Sequence, residues 1–286
     1  MKMIKPVVNL SKAADNYDVF VLGFNGVLHE GAGILASAAD ALRNLAVLNK
    51  KIILLTNSAQ RVASIVDWLQ QNGVNPTIFS CIMSAGEVLH YKLKCASGEY
   101  GALGNSYYHL GNATDRGVFC NLNFQQTSSI SSAHFLYMSD VYDVNDTLET
   151  YRPYLEQAVA LGLPFVCAGN DTSCFKDGKP CLAPAAIAEQ YAIMGGRIIT
   201  LGKPDVSLFK YCADGLIGND SVLVIGDNVA TDIKGAVLLG WDSMLISKGI
   251  HVNFLGEGYI PDVAKTRELS NSFDASPDYV ISNLRW

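Results

Sequence analysis

The sequence predicts an α/β fold: a doubly wound, Rossmann-like parallel sheet with a second α/β domain inserted into it. Three observations lead there. Short apolar runs alternate with amphipathic, helix-like segments, as a parallel sheet covered by helices requires. Polar motifs stand directly after the apolar runs, where such a sheet collects its ligands. A stretch of about 85–195 then interrupts the series with strands and helices of its own.

The elements follow in order. Val19-Phe20-Val21-Leu22 reads as a buried strand that runs into the loop Gly23-Phe24-Asn25-Gly26-Val27-Leu28-His29-Glu30-Gly31. A helix is expected over Ala36–Leu48, with Leu42, Leu45 and Leu48 at helical spacing. Ile52–Leu55 is a second strand, ending at Thr56-Asn57-Ser58, and a helix over Gln60–Asn72 stops at Gly73. Late in the chain, Ser221–Ile225 is a strand ending at Gly226-Asp227-Asn228. A helix over Ala230–Leu239, a strand from Met244 and a last strand at Tyr279–Ile281 complete the core. These readings assign 1–84 and 196–286 to the core and 85–195 to the insertion. Inside the insertion, Gly111–Ser132 reads as polar and aperiodic, with Ser128–Ser132 a solvated loop. Strands are expected at His134–Met138 and Pro164–Ala168, and helices at Asp146–Leu161 and Ala185–Met194. Gly195-Gly196 marks a break before Ile198-Ile199-Thr200 rejoins the core.

Bulk properties exclude several classes. With 286 residues, 49% hydrophobic and 17% charged, the chain is globular rather than disordered. A formal charge of −6 argues against nucleic acid or an anionic membrane as partner. No apolar run reaches the roughly 18–20 residues of a membrane span, and Met1–Asp15 lacks a signal peptide's apolar segment, so a cytoplasmic location is expected. Seven cysteines without a Cys-x-x-Cys pair fit neither a disulfide framework nor a zinc ribbon. Cys167, Cys174 and Cys181 recur every seven residues and read as one strand cysteine followed by two loop thiols.

Four motifs stand in order: the loop after Leu22, Thr56-Asn57-Ser58, Gly202-Lys203-Pro204, and Gly226-Asp227-Asn228-Val229-Ala230-Thr231-Asp232-Ile233-Lys234-Gly235-Ala236. Singly, most are ordinary: Thr-Asn-Ser after a strand is commonly a helix cap and Gly-Asp a turn. The fourth is specific, with two acids, a threonine and small residues at fixed spacing. Together they resemble the motifs of the haloacid dehalogenase (HAD) superfamily, whose first motif is Asp-x-Asp-Gly-Val-x-x-x-Gly and whose fourth is Gly-Asp-x-x-x-Thr-Asp-x-x-x-Ala. A large α/β cap between the second and third motifs is similar to class IIA, which includes p-nitrophenyl phosphatase and phosphoglycolate phosphatase. The resemblance covers almost the whole chain. One branch of that class reads Asp-x-Trp-Gly-Val-Leu-His-x-Gly in its first motif; this chain shares Gly26-Val27-Leu28-His29 and Gly31 with it.

The resemblance implies a phosphate site at Thr56, Asn57 and Lys203, with Pro204 starting a helix. It implies Mg²⁺ held by Asp227, supported by Asp232 and by the backbone carbonyl of Asn25. Asp171 aligns weakly with the cap's substrate loop, in Ala168-Gly169-Asn170-Asp171. The implied partner is phosphate or a small phosphorylated metabolite; caps of this class often mediate dimers, so a homodimer is one implied arrangement. The departure lies in the first motif: Gly23 stands at the nucleophile and Asn25 at the acid/base position. His29 lies beyond those positions and reads as a structural or rim residue. Glycine cannot form an aspartyl-phosphate, and asparagine cannot exchange a proton with the leaving group or water. The lost carboxylate also weakens the expected Mg²⁺ site. Three readings follow: a catalytically degenerate phosphatase that binds a phosphorylated ligand, a hydrolase with rewired chemistry, and a structural protein with a vestigial pocket.

Overall fold

Val19-Phe20-Val21-Leu22 is apolar at every position and forms a strand buried at every position, the pattern of a parallel strand covered on both faces. The structure is a computed structural model that describes residues 3–31, 33–112, 117–176 and 179–286. In chain order its strands are β1 (Lys5–Pro6), β2 (Val19–Leu22), β3 (Lys51–Thr56), β4 (Cys81–Ser84), β5 (Ser106–His109), β6 (Gln125–Thr127) and β7 (Phe135–Met138). There follow β8 (Phe165–Ala168), β9 (Ser173–Lys176), β10 (Lys179–Leu182), β11 (Ile198–Leu201), β12 (Val222–Gly226), β13 (Asp242–Ile246) and β14 (Tyr279–Ile281). One seven-stranded sheet has the order β1-β14-β13-β12-β2-β3-β4. A five-stranded sheet has the order β11-β8-β7-β5-β6, and β9 and β10 form a separate two-stranded sheet.

The chain divides into two compact units, the first comprising Met1–Thr56, Ile65–Met83 and Lys203–Trp286, the second Asn57–Ser64 and Ser84–Gly202. In the first, β2 lies parallel between β3 and β12, with Leu22 opposite Leu54 and Ile225. Helix Ala36–Val47 turns Ala38, Ala41, Leu42 and Leu45 inward; Leu48, expected to continue that stripe, is the exposed C-cap. Burying each of the two leucines contributes about 1.5–3 kcal/mol relative to exposure. Among the described residues no helix is long and apolar enough to cross a membrane.

In the second unit, all neighbouring strands of the five-stranded sheet are parallel. Ile198-Ile199-Thr200, the start of β11, was expected to rejoin the core. It instead pairs with β8, Ile198 opposite Phe165 and Leu201 opposite Ala168, and is the edge of this sheet. An apolar strand satisfies the same pattern beside any parallel neighbour, so periodicity does not choose the sheet. The polar stretch Gly111–Ser132 also differs from expectation. It carries the 3₁₀ turn Gly117–Phe119, with Val118 and Phe119 buried, and the edge strand β6. Residues 113–116 of it lie outside the described residues. Phe119 stacks on Tyr107 with ring centroids 4.0 Å apart. Ser128–Ser132 is no fully solvated loop, because Ile130 is buried in this unit's core. Residues 57–64 are bound into the unit by Gly86 N–H donating to Ser58 O (3.0 Å) and by a two-pronged Arg61–Glu87 pair (2.7 and 2.9 Å).

Tyr151 is fully buried; its hydroxyl donates to Asp146 Oδ2 (2.5 Å) and accepts from Tyr142 N–H (2.9 Å). Replacing Tyr151 by Phe leaves both groups without that partner and is expected to cost about 1–3 kcal/mol, read as a lower denaturant midpoint.

Candidate active site

The parallel register of β2 and β12 sets the site. Leu22 lies opposite Ile225, and Gly23 N–H donates to Ile225 O at 2.8 Å, so Gly23 and Gly226 leave the sheet side by side. Their following loops carry Asn25 and Asp227 to the same end of the sheet. A Cβ built on Gly23 would lie 3.7 Å from Asp232 Oδ1 and 3.0 Å from Val27 Cγ2. Gly23 has no positive φ, so neither its backbone nor its surroundings forbid a side chain, provided the Val27 methyl yields slightly. Position 23 therefore carries no side chain in surroundings that would admit one.

Asp232 and Lys203 form a buried ion pair, 4% and 6% exposed, with Lys203 Nζ 2.5 Å from Asp232 Oδ1. Lys203 also donates to Leu55 O at 3.2 Å, and Asp232 Oδ2 accepts from Asn228 N–H at 3.2 Å. Thr56, the last residue of β3 and next to Leu55, is buried. Asp232, expected to support a metal through its waters or a hydrogen bond, is engaged with the lysine. Pro204 does not start a helix: Asp205 is the N-cap of helix Val206–Ala213, accepting Ser207 N–H at 2.8 Å, and Pro204 precedes it. The helix expected from Ala230 begins as one π-helical turn, Val229–Ile233, continuing as the α-helix Lys234–Leu239. Wide turns of this type recur at functional sites. Asn228 caps it, its Oδ1 accepting Ala230 N–H at 2.9 Å.

Asp227 is packed against glycine. A Cβ on Gly26 would fall 2.0 Å from Asp227 Oδ2, and one on Gly249 would fall 2.2 Å from Asp227 Cβ. Gly26 also holds φ +70°, a left-handed conformation that disfavours any other residue. Asp227 Oδ2 accepts from Ile250 N–H at 2.9 Å. The Asn25–Gly26 peptide thus runs beside Asp227, with the Asn25 side chain exposed. These hard oxygen donors, Asp227 and a main-chain carbonyl, are of the kind Mg²⁺ accepts. They are few, because Asp232 is held by Lys203 and Asn228. Among the described residues no group of three or more His, Cys, Asp or Glu side chains gathers as a metal cluster.

Asn57 and Asp171 belong to the second unit. Asn57 lies against two backbone glycines: a Cβ on Gly169 would meet Asn57 O at 2.2 Å, and one on Gly202 would meet Asn57 Oδ1 at 2.7 Å. Asp171 is half-buried, just before β9. The loop Ser247–His251 was missed by sequence reasoning, although it follows a strand end as the expected motifs do. It supplies Gly249 and Ile250 to Asp227, and His251, whose Nε2 accepts Val229 N–H at 3.2 Å.

His29 is packed against aromatic side chains. Its ring lies 4.4 Å from Phe24 and 4.7 Å from Trp68, its Nδ1 accepts Gly31 N–H, and burial holds its pKa down at about 4. Burial lowers His251 to about 4 as well, with Asp232 opposing the shift. Both histidines stay neutral in the fold down to about pH 4, whereas in the unfolded chain they protonate near 6.5. Unfolding therefore takes up protons below pH 6.5. Their stabilising effect is full above that value and declines as pH falls toward about 4. Denaturation at stepped pH is expected to show that decline, and His29→Phe to make it shallower. Lys203→Met leaves Asp232 buried without its counter-ion and is expected to cost about 3–5 kcal/mol, while Lys203→Met with Asp232→Asn recovers most of it.

Residues 200–286 match the HAD-hydrolase-like family model and residues 20–125 the haloacid dehalogenase-like hydrolase model, together more than half of the chain. A haloacid dehalogenase-like hydrolase from Brucella suis is 26% identical, with a TM-score of 0.79 over 96% of this chain and 98% of that one. A 4-nitrophenylphosphatase from Thermotoga maritima is 20% identical, with a TM-score of 0.66 over 94% and 95%. A glycerol phosphate phosphatase from Mycobacterium tuberculosis, solved with magnesium, is 16% identical, with a TM-score of 0.63 over 99% and 78%. No curated protein matches the chain. The chain belongs to the haloacid dehalogenase superfamily, and its fold is that of the class IIA phosphatases.

Proposed function

We propose that this protein holds phosphate or a small phosphorylated metabolite beside a weak Mg²⁺ site and does not form a covalent phosphoenzyme. Gly23 carries the reading. It stands where the superfamily's nucleophile stands, with room for a side chain beside Asp232, and offers no atom that can attack phosphorus. Removing the nucleophile of a comparable covalent enzyme costs about six orders of magnitude in turnover. Asn25 also lacks the proton exchange that is worth roughly 10²–10⁴. The two losses need not multiply, because the groups act as a unit.

The binding apparatus fares better. Lys203 supplies a buried ammonium and Thr56 a hydroxyl at the end of β3. A ligand's phosphoryl group would share the ammonium with Asp232, so binding is weaker than for a lysine with no buried acid beside it. Mg²⁺, when bound, would neutralise phosphoryl charge, and Asp227 with the Asn25 carbonyl would hold it. The loss of the Gly23 carboxylate weakens that site, since affinity for hard cations rises with ligand charge count. The magnesium complex of the related glycerol phosphate phosphatase supports a divalent cation in this fold.

Turnover of p-nitrophenyl phosphate with Mg²⁺ tests the reading. The chain is expected to run about 10⁵–10⁶-fold below its Gly23→Asp, Asn25→Asp revertant. Rates typical of phosphatases in the unmodified chain, lost on Asp227→Ala, would overturn the proposal in favour of rewired chemistry. Calorimetry with inorganic phosphate, with and without Mg²⁺, is expected to show binding in the millimolar range or tighter; none at all would favour a structural role. The revertant is also expected to bind Mg²⁺ roughly tenfold more tightly or better.

A further inference from the structure

We propose that Cys174 and Cys181 form a reversible intramolecular disulfide that locks the β9–β10 hairpin of the second unit. Sequence spacing treats Cys167, Cys174 and Cys181 alike, since each is seven residues from the next. The hairpin register separates them. Cys181 lies directly opposite Cys174 in the antiparallel ladder, between the pairs Leu182–Ser173 and Pro180–Phe175. Directly opposed residues project from the same face, and the two sulfurs lie 2.7 Å apart.

The ladder supports the geometry. Ala183 N–H donates to Thr172 O at 3.1 Å, so the pair two residues inward, Cys174–Cys181, is also of the hydrogen-bonded type. Pro180, which has no N–H, then falls at the intervening position, where none is needed. Hydrogen-bonded antiparallel pairs have Cα atoms about 5.5 Å apart, inside the roughly 4.4–6.8 Å that a disulfide spans. Cys181 is buried and Cys174 partly exposed, so an incoming reagent meets Cys174 first. Cys167 is fully buried in β8 and burial pushes its thiol up to about 12, which keeps it protonated and a poor competitor.

The chemistry needs a small-molecule disulfide as oxidant. The Cys174 thiolate attacks one of its sulfurs and expels a thiolate, giving a mixed disulfide. The Cys181 thiolate then attacks the Cys174 sulfur and expels the second. Two protein thiols and one small disulfide become one protein disulfide and two small thiols, and two electrons pass to the reagent. The link fixes the two strands that follow the Gly169–Asp171 loop, so this hairpin becomes a redox-sensitive element.

Equilibrating the full chain in glutathione buffers, alkylating it, and digesting it with trypsin and a protease that cuts before aspartate, which together place Cys167, Cys174 and Cys181 on separate fragments, tests this by mass spectrometry. In buffer rich in glutathione disulfide, the fragments bearing Cys174 and Cys181 are expected to be joined and lighter by two hydrogen atoms. That link should exceed any other pairing of the seven cysteines by roughly tenfold, and excess reductant should return two alkylated fragments. In Cys181→Ser, Cys174 is expected to stop at the glutathione mixed disulfide. Full alkylation of both cysteines in the oxidising buffer, or linkage of either to Cys167 or to another chain, would overturn the proposal.

Discussion

The buried ion pair between Lys203 and Asp232 is the interaction on which the site depends. Taking two charges out of water is expensive, and such a pair persists only when its remaining hydrogen-bonding capacity is met. Here Lys203 also reaches Leu55 O, and Asp232 takes the N–H of Asn228. The pair thereby joins the end of β3, the segment before helix Val206–Ala213, and the turn after β12. Asn228, oriented by that hydrogen bond, caps the π-helical turn, and the turn in turn places Asp232. Each member of this circle depends on another, and none of its hydrogen bonds involves position 23.

Around that pair the acids are packed against glycine. Gly26 and Gly249 flank Asp227, and a Cβ on Gly226 would fall 2.1 Å from Asp232 Cγ. These are sites where the carboxylates approach main chain too closely for any side chain. Gly23 differs, because its surroundings admit a Cβ with one small adjustment. Three glycines here serve packing, and the fourth occupies a position that would admit a side chain.

Much of the fold was legible because a parallel sheet writes itself as apolar runs. Strands β2, β3, β12, β13 and β14 were each anticipated to within a few residues, and the motifs after three of them stand where strand ends put them. The insertion was less legible. Its sheet includes β5 and β6, which are short, rich in tyrosine and glutamine, and carry no apolar run. Phe119 and Ile130 anchor a stretch whose composition reads as solvated. Pro204 resembled a helix start because proline is common there, but Asp205 offered the better cap. In the hairpin, strands of four residues lie below the length at which alternation can be distinguished from a loop.

The sequence by itself determined the α/β class, the ordered motifs, and the absence of a carboxylate at position 23, since these depend on local apolarity, spacing and residue identity. Tertiary structure decided which acid Lys203 joins at 2.5 Å, which sheet Ile198–Leu201 enters, and which of three equally spaced cysteines face each other. The physical reason is common to all three. Each is a choice between partners set by strand order and register, and those are settled by long-range packing, to which a periodic pattern along one chain contributes no preference.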